Sequence, residues 1–114
     1  MKTNIINIQT DRINDWETFH GVFQEALGFP EFYGRNMNAW IDCMSGLDDQ
    51  DSGMTKFTVN KDDIAIMKIE NSSSFKERCP EQYNALIECS AFVNYSRIDI
   101  GENPILSLMF IGDD

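Results

Sequence analysis

The residues of this chain best placed to do chemistry are a carboxylate and its neighbours: Asp42, in the run FPEFYGRNMNAWIDCMSGL over residues 29–47. Set on a helix at about 100° per residue, Met37, Ala39, Trp40, Ile41, Cys43, Met44 and Leu47 share one broad side. Arg35, Asn38, Asp42, Ser45, Gly46 and Asp49 fall within an arc of roughly 100° on the other, with Asp42 near its middle. A carboxylate held on a rigid element can accept bidentate, charge-assisted hydrogen bonds from a cationic site on another molecule. Any surface helix that buries one stripe and wets the other gives a similar pattern, so the arc alone is a solvated face as readily as a binding face. Nucleophilic chemistry has less to work with. Cys43, Cys79 or Cys89 would need His20, the single histidine, as base. His20 stands beside core-facing Phe19 with no motif around it and reads as a packing or surface residue. No two of these ligand types share a metal-binding spacing. No catalytic residue, metal or cofactor is expected.

The elements that must position Asp42 follow from periodicity. Thr3–Ile8 carries β-branched bulk and predicts a strand. Asn14, with Glu17 three residues on, is a candidate cap for a helix in which Trp16, Phe19, Val22, Phe23, Ala26 and Leu27 recur at helical spacing until Gly28 stops it. Pro30 forces Phe29 toward an extended conformation, Gly34 suits a tight turn, and a second helix follows over about 36–47. The acidic stretch 48–53 reads as a loop that does not pack. Residues 54–59 and Ile64–Ile69 read as two short strands joined through Asn60, Lys61, Asp62 and Asp63, the second nearly all apolar and hence more central. Asn71 to Ser74 can cap a short helical piece around 75–78. Pro80 can open a longer helix to about Tyr95, with Tyr83, Leu86, Ile87 and Val93 as its buried stripe. The run ILSLMFI over 105–111 is apolar on both parities and reads as a strand inside a helix-covered sheet. The order is that of an α/β protein.

Length and charge narrow the function. The 114 residues amount to a single domain, 1–114, large enough to bury its own core. The chain has no signal-peptide core and no apolar run long enough to span a membrane. Three cysteines without a CxxC pair suggest reduced thiols and a cytoplasmic protein. A formal charge of -10 repels nucleic acid phosphate and steers toward basic proteins, so direct nucleic acid binding is not expected. Acidity also serves solubility alone. Asp48, Asp49 and Asp51 extend the negative patch around Asp42.

Within residues 30–43, the proline, the aromatic pair Phe32-Tyr33 followed by Gly34, then Asn36, Ala39 and the contiguous Asp42-Cys43 resemble the signature of the barstar family of intracellular ribonuclease inhibitors. The resemblance is specific from about 14 to 47, fair from 64 to 75 and weak afterwards. It implies a barstar-like fold, a small mainly parallel β-sheet packed by helices, with the longer 48–63 segment leaving room for one extra hairpin strand or a loop that alters the rim of the binding surface. It also implies that the second helix and its preceding loop insert into a ribonuclease active site, where Asp42, aligned with the family's central acid, would stand in for phosphate. The implied partner-binding set is Phe32, Gly34, Asn36, Asn38, Ile41, Asp42, Ser45, Gly46 and Leu47, and the implied partner a small basic secreted ribonuclease or nuclease toxin. Three positions depart from the family pattern: Phe32 where a tyrosine would bring a hydroxyl, Asn38 where an aspartate would bring charge, and Leu47 where a tryptophan would bring area. The same scaffold would also serve as an immunity or adaptor protein for a different partner.

Overall fold

The computed structural model describes residues 3–113. Three strands, β1 (Thr3–Ile8), β2 (Ile64–Ile69) and β3 (Leu106–Phe110), pair in parallel in that order. Parallel neighbours need crossovers rather than tight turns. Helices α1 (Trp16–Leu27) and α2 (Met37–Ser45) therefore join β1 to β2, and α3 (Ser72–Arg78) and α4 (Pro80–Asp99) join β2 to β3. The arrangement is the expected α/β one, a small parallel sheet packed by helices. Its central strand is β2, where Ala65, Met67 and Ile69 are buried and the alternate residues half-buried. That explains why IAIMKI is apolar on both parities.

The apolar run 105–111 does not lie inside the sheet. β3 is an edge strand, with Leu106 buried but Ser107 and Phe110 exposed. Its start is held by α4: the Asn94 carboxamide accepts from the Ile105 and Leu106 N–H groups at 3.0 Å each and donates to the Leu106 carbonyl at 2.9 Å. The α1 cap is Asp15 rather than Asn14. Its carboxylate accepts from the Thr18 N–H at 2.8 Å while the Thr18 hydroxyl accepts from the Asp15 N–H at 3.0 Å, so threonine, not Glu17, completes the capping box.

Residues 54–59 form no strand and no hairpin. The last carbonyls of a helix lack donors of their own, and for α1 this segment supplies them: Lys56 and Phe57 donate to the Leu27 carbonyl at 3.0 and 3.1 Å, while Val59 donates to that of Leu47, two residues past the end of α2, at 2.9 Å. Val59 is buried and Met54 and Phe57 pack against the core, which accounts for their apolar alternation. The strap lies tight against Gly28, whose φ of 70° is left-handed and whose absent Cβ would fall 2.5 Å from Lys56 Cβ. Gly28→Ala should therefore lower stability by about 1–3 kcal/mol. Chemical denaturation checks this, and an unchanged midpoint would show that the strap yields without cost.

α4 runs beyond Tyr95 to Asp99, and its buried residues are Gln82, Leu86, Ser90, Val93 and Arg97. Tyr83 is only half-buried and Ile87 is exposed, so the expected stripe is correct for Leu86 and Val93 alone. Trp40 and Met44 sit in the core as expected, with Trp40 edge-on to Phe23 at 5.8 Å between ring centres. Among the described residues, no helix is long and apolar enough to cross a membrane.

Candidate functional site

The loop before α2 is anchored from beneath. Pro30 and the Phe29–Tyr33 ring contact, 4.7 Å between centres, turn the Tyr33 hydroxyl inward, where it meets His20 Nδ1 at 2.6 Å. Phe32 is thrown outward and is 77% exposed. Gln24 ties the loop to α1 twice: its amide nitrogen donates to the Pro30 carbonyl at 3.1 Å, and its oxygen accepts from Arg35 at 2.8 Å. Arg35 also donates to the Glu17 carbonyl at 2.9 Å. The guanidinium is thus folded back onto α1 and does not belong to the polar arc of α2.

The tight turn is made by Arg35, whose φ is 53°, not by Gly34. Gly34 serves close approach instead, since a Cβ there would meet Asn36 Nδ2 at 3.3 Å. Asn36 caps α2, its oxygen accepting from the Ala39 N–H at 2.8 Å and its nitrogen donating to the Gly34 carbonyl at 3.3 Å. Downstream, the Ser45 hydroxyl donates to the Ile41 carbonyl at 2.6 Å, and the Gly46 N–H donates to the Cys43 carbonyl at 3.3 Å. Ile41 is half-buried. Leu47 is fully buried, so it is a core residue rather than a surface contact; the broad apolar side of α2 continues through it.

Asn38 and Asp42 are the exposed polar groups of α2, and among the described residues none hydrogen-bonds or ion-pairs with the Asp42 carboxylate. Asp42 shares the wall of a cleft of about 180 Å³ with Pro30, Phe32, Gly34, Ala39 and Met54. One carboxylate in an otherwise apolar recess suits a cationic side chain with an apolar stem.

The acidic patch is smaller than its sequence suggests. Asp48 is not part of an open surface loop: both its oxygens accept from Arg97, at 3.1 and 2.7 Å, with side-chain exposures of 15% and 9% for the two partners. Arg97 also donates to the carbonyls of Ser45 at 3.1 Å and Asn103 at 2.8 Å. The segment tightens into a 3-10 turn at Gln50–Ser52, leaving Asp49 and Asp51 exposed. The buried positions 86, 90, 93 and 97 keep helical spacing, so an arginine continuing that stripe was a readable sign of a buried ion pair.

His20 is buried against Tyr33 and stacked on Trp16 at 5.8 Å, and its recorded side-chain partner is a phenol rather than a thiol. Burial, then the Arg35 charge, lowers its pKa to about 4. Burial first, then the nearby Cys43 and against the charge of Arg35, pushes the Tyr33 hydroxyl up. The pair is complementary when the hydroxyl donates to Nδ1 of a neutral ring. The Cys43 thiol is raised to about 11 by burial and by the adjacent Asp42. That is the opposite of an activated nucleophile. Three or more metal-ligating side chains are nowhere grouped among the described residues.

The His20 shift fixes a sign. The folded pKa lies below the unfolded value of about 6.5, so between them the unfolded chain binds more protons. Its stabilising contribution is full above about pH 6.5 and declines as pH falls toward 4. Protonation also makes Nδ1 a donor, and the buried phenol must reverse its hydrogen bond. An NMR titration of the ring should give a midpoint near 4, with His20→Gln flattening the stability curve over that window. An ordinary imidazole midpoint would show that the anchor opens freely.

The geometry describes a small α/β protein that presents a braced loop and helix on its surface. The chain belongs to the barstar family: the family model described as Barstar (barnase inhibitor) matches residues 3–96, most of the 114. Members of that family are inhibitors rather than enzymes. No curated protein gives a significant match to the chain.

Proposed function

We propose that the chain inhibits a small basic ribonuclease by seating the loop and helix 29–47 in its active-site cleft, with Asp42 occupying the place of a substrate phosphate. The observation that carries this reading is the Asp42 carboxylate, exposed, without a partner among the described residues, and held on a helix whose cap and preceding loop are both braced. A nuclease site is furnished with arginine, lysine and histidine to hold phosphate, and a fixed carboxylate satisfies the same donors. Because the loop is already ordered, little conformational entropy is lost on docking. Phe32 and Ile41 supply apolar contact beside Asp42, Gly34 allows close approach, Asn38 offers an amide, and the backbone at Ser45 and Gly46 forms the rim. The protein then needs no catalytic group, metal, nucleic acid or membrane of its own. Its three free thiols suit the cytoplasm, where it would neutralise a nuclease otherwise secreted.

The departures at Phe32, Asn38 and Leu47 favour a target other than barnase, such as a nuclease toxin for which this chain is the immunity protein. Leu47 in particular is buried and offers the partner no area. The test is capture of partners from host lysate and culture medium by the tagged chain at low and high salt, followed by titration of the captured protein's RNA cleavage. A small basic nuclease, retained more weakly in high salt and silenced at an equimolar ratio, is the expected result. Partners without nuclease activity, or a nuclease that stays active when bound, would overturn it.

A further inference from the structure

α4 carries its polarity the wrong way round for a helix that serves only its own fold. Three of its five buried residues, Gln82, Ser90 and Arg97, are polar or charged, and the Ser90 hydroxyl finds no hydrogen-bond partner. Its large apolar side chains face water instead: Phe92 is 54%, Tyr95 60% and Ile98 57% exposed, with Ile87 at the margin. These four fall within an arc of about 140°, and the exposed carboxylates Glu81, Glu88 and Asp99 lie in the same arc. The only basic residue of α4 is Arg97, which is buried in its ion pair and projects about 200° around the axis from Tyr95, toward α2. The face is therefore apolar, carries only negative charges of α4, and lies on the side of the helix away from Arg97.

Clustered, exposed apolar bulk of this size marks an interaction surface. A second copy of the chain fits poorly, because two such faces would bring carboxylate against carboxylate on molecules of charge -10. We propose that the outer face of α4 docks a basic amphipathic helix of a partner protein, whose apolar stripe packs on Phe92, Tyr95 and Ile98 while flanking lysines or arginines meet Glu88 and Asp99. The surface spans about three helical turns, enough for one short helix laid alongside. It shares no residue with the loop and helix 29–47.

The test uses the full chain and a synthetic helical peptide of about five turns, with leucines on one face and lysines beside them, followed by fluorescence anisotropy. Two control peptides carry glutamate for lysine or serine for leucine. The parent should bind the leucine–lysine peptide at least about tenfold more tightly than either control, and the combined Phe92→Ser, Tyr95→Ser and Ile98→Ser variant should lose at least about tenfold. Asp42→Ala should bind it unchanged. Should the triple variant not fold, Glu88→Lys with Asp99→Lys serves in its place, and it should reverse the preference toward the glutamate peptide. Equal binding by parent and variant would overturn the proposal. So would sedimentation of the parent as a dimer that the triple variant dissolves, which would assign the face to a second copy.

Discussion

Asp42→Ala should weaken binding of the target ribonuclease by about 2–5 kcal/mol, roughly 30- to 5,000-fold, a range for which the barnase–barstar pair is itself a reference case. The loss arises on both sides of the interface. On the proposed docking the carboxylate goes, and the basic groups facing it are left desolvated without a partner. Folding stability should move by no more than about 0.5 kcal/mol, because the side chain is exposed and bonds to none of the described residues. Asp42→Asn separates charge from shape: it keeps the volume and should lose most of the same affinity, chiefly as faster dissociation, since the pair is buried in the complex. Surface plasmon resonance of the purified pair, with circular dichroism of each variant, reads all three quantities. Affinity within about threefold of the parent would remove Asp42 from the mechanism.

Asp48→Ala should destabilise the fold by about 3–5 kcal/mol, because it strips a buried guanidinium of its bidentate partner. Glu102, 3.5 Å from the Arg97 guanidinium and largely exposed, is too solvated to compensate fully. The remaining bonds from Arg97 go to the carbonyls of Ser45 and Asn103, so the damage should spread to the end of α2 and to the turn before β3. Replacing both partners, Asp48→Leu with Arg97→Met, should recover most of the loss, since no charge is then left buried. Denaturant midpoints of the two variants give the comparison directly. A single substitution costing under about 1 kcal/mol would mean that water reaches the guanidinium.

Much of this was legible beforehand where one physical signal ruled. β-branched residues at Ile5, Ile6 and Ile8, a helical apolar period closed by Gly28, and the two-faced helix after Asn36 each gave the right element, because local propensity or apolar period had no rival there. The errors fall where a side chain or segment had two equally good local uses. Asn14 and Asp15 are both competent caps, and only the reciprocal bond of Thr18 decides between them. Residues 54–59 alternate like a strand, yet their N–H groups go to the carbonyls of Leu27 and Leu47, distant in sequence. Asp48 and Asp49 look alike in the chain, but one meets Arg97 and the other water. In the candidate site, position on the helix correctly put Asp42 and Asn38 on the exposed side of α2, whereas Leu47 is buried, because the resemblance at that residue carries alignment without burial.

The strap over 54–59 hydrogen-bonds the two ends of the presented segment, Leu27 just before it and Leu47 at its close, through main-chain N–H groups. Any residue but proline can make those bonds. Met54, meanwhile, lends its side chain to the cleft beside Asp42. The main-chain frame and the wall of the recess are thus written in different atoms of one stretch of chain, so a substitution at Met54 can reshape the recess while the bonds that hold the loop stay in place.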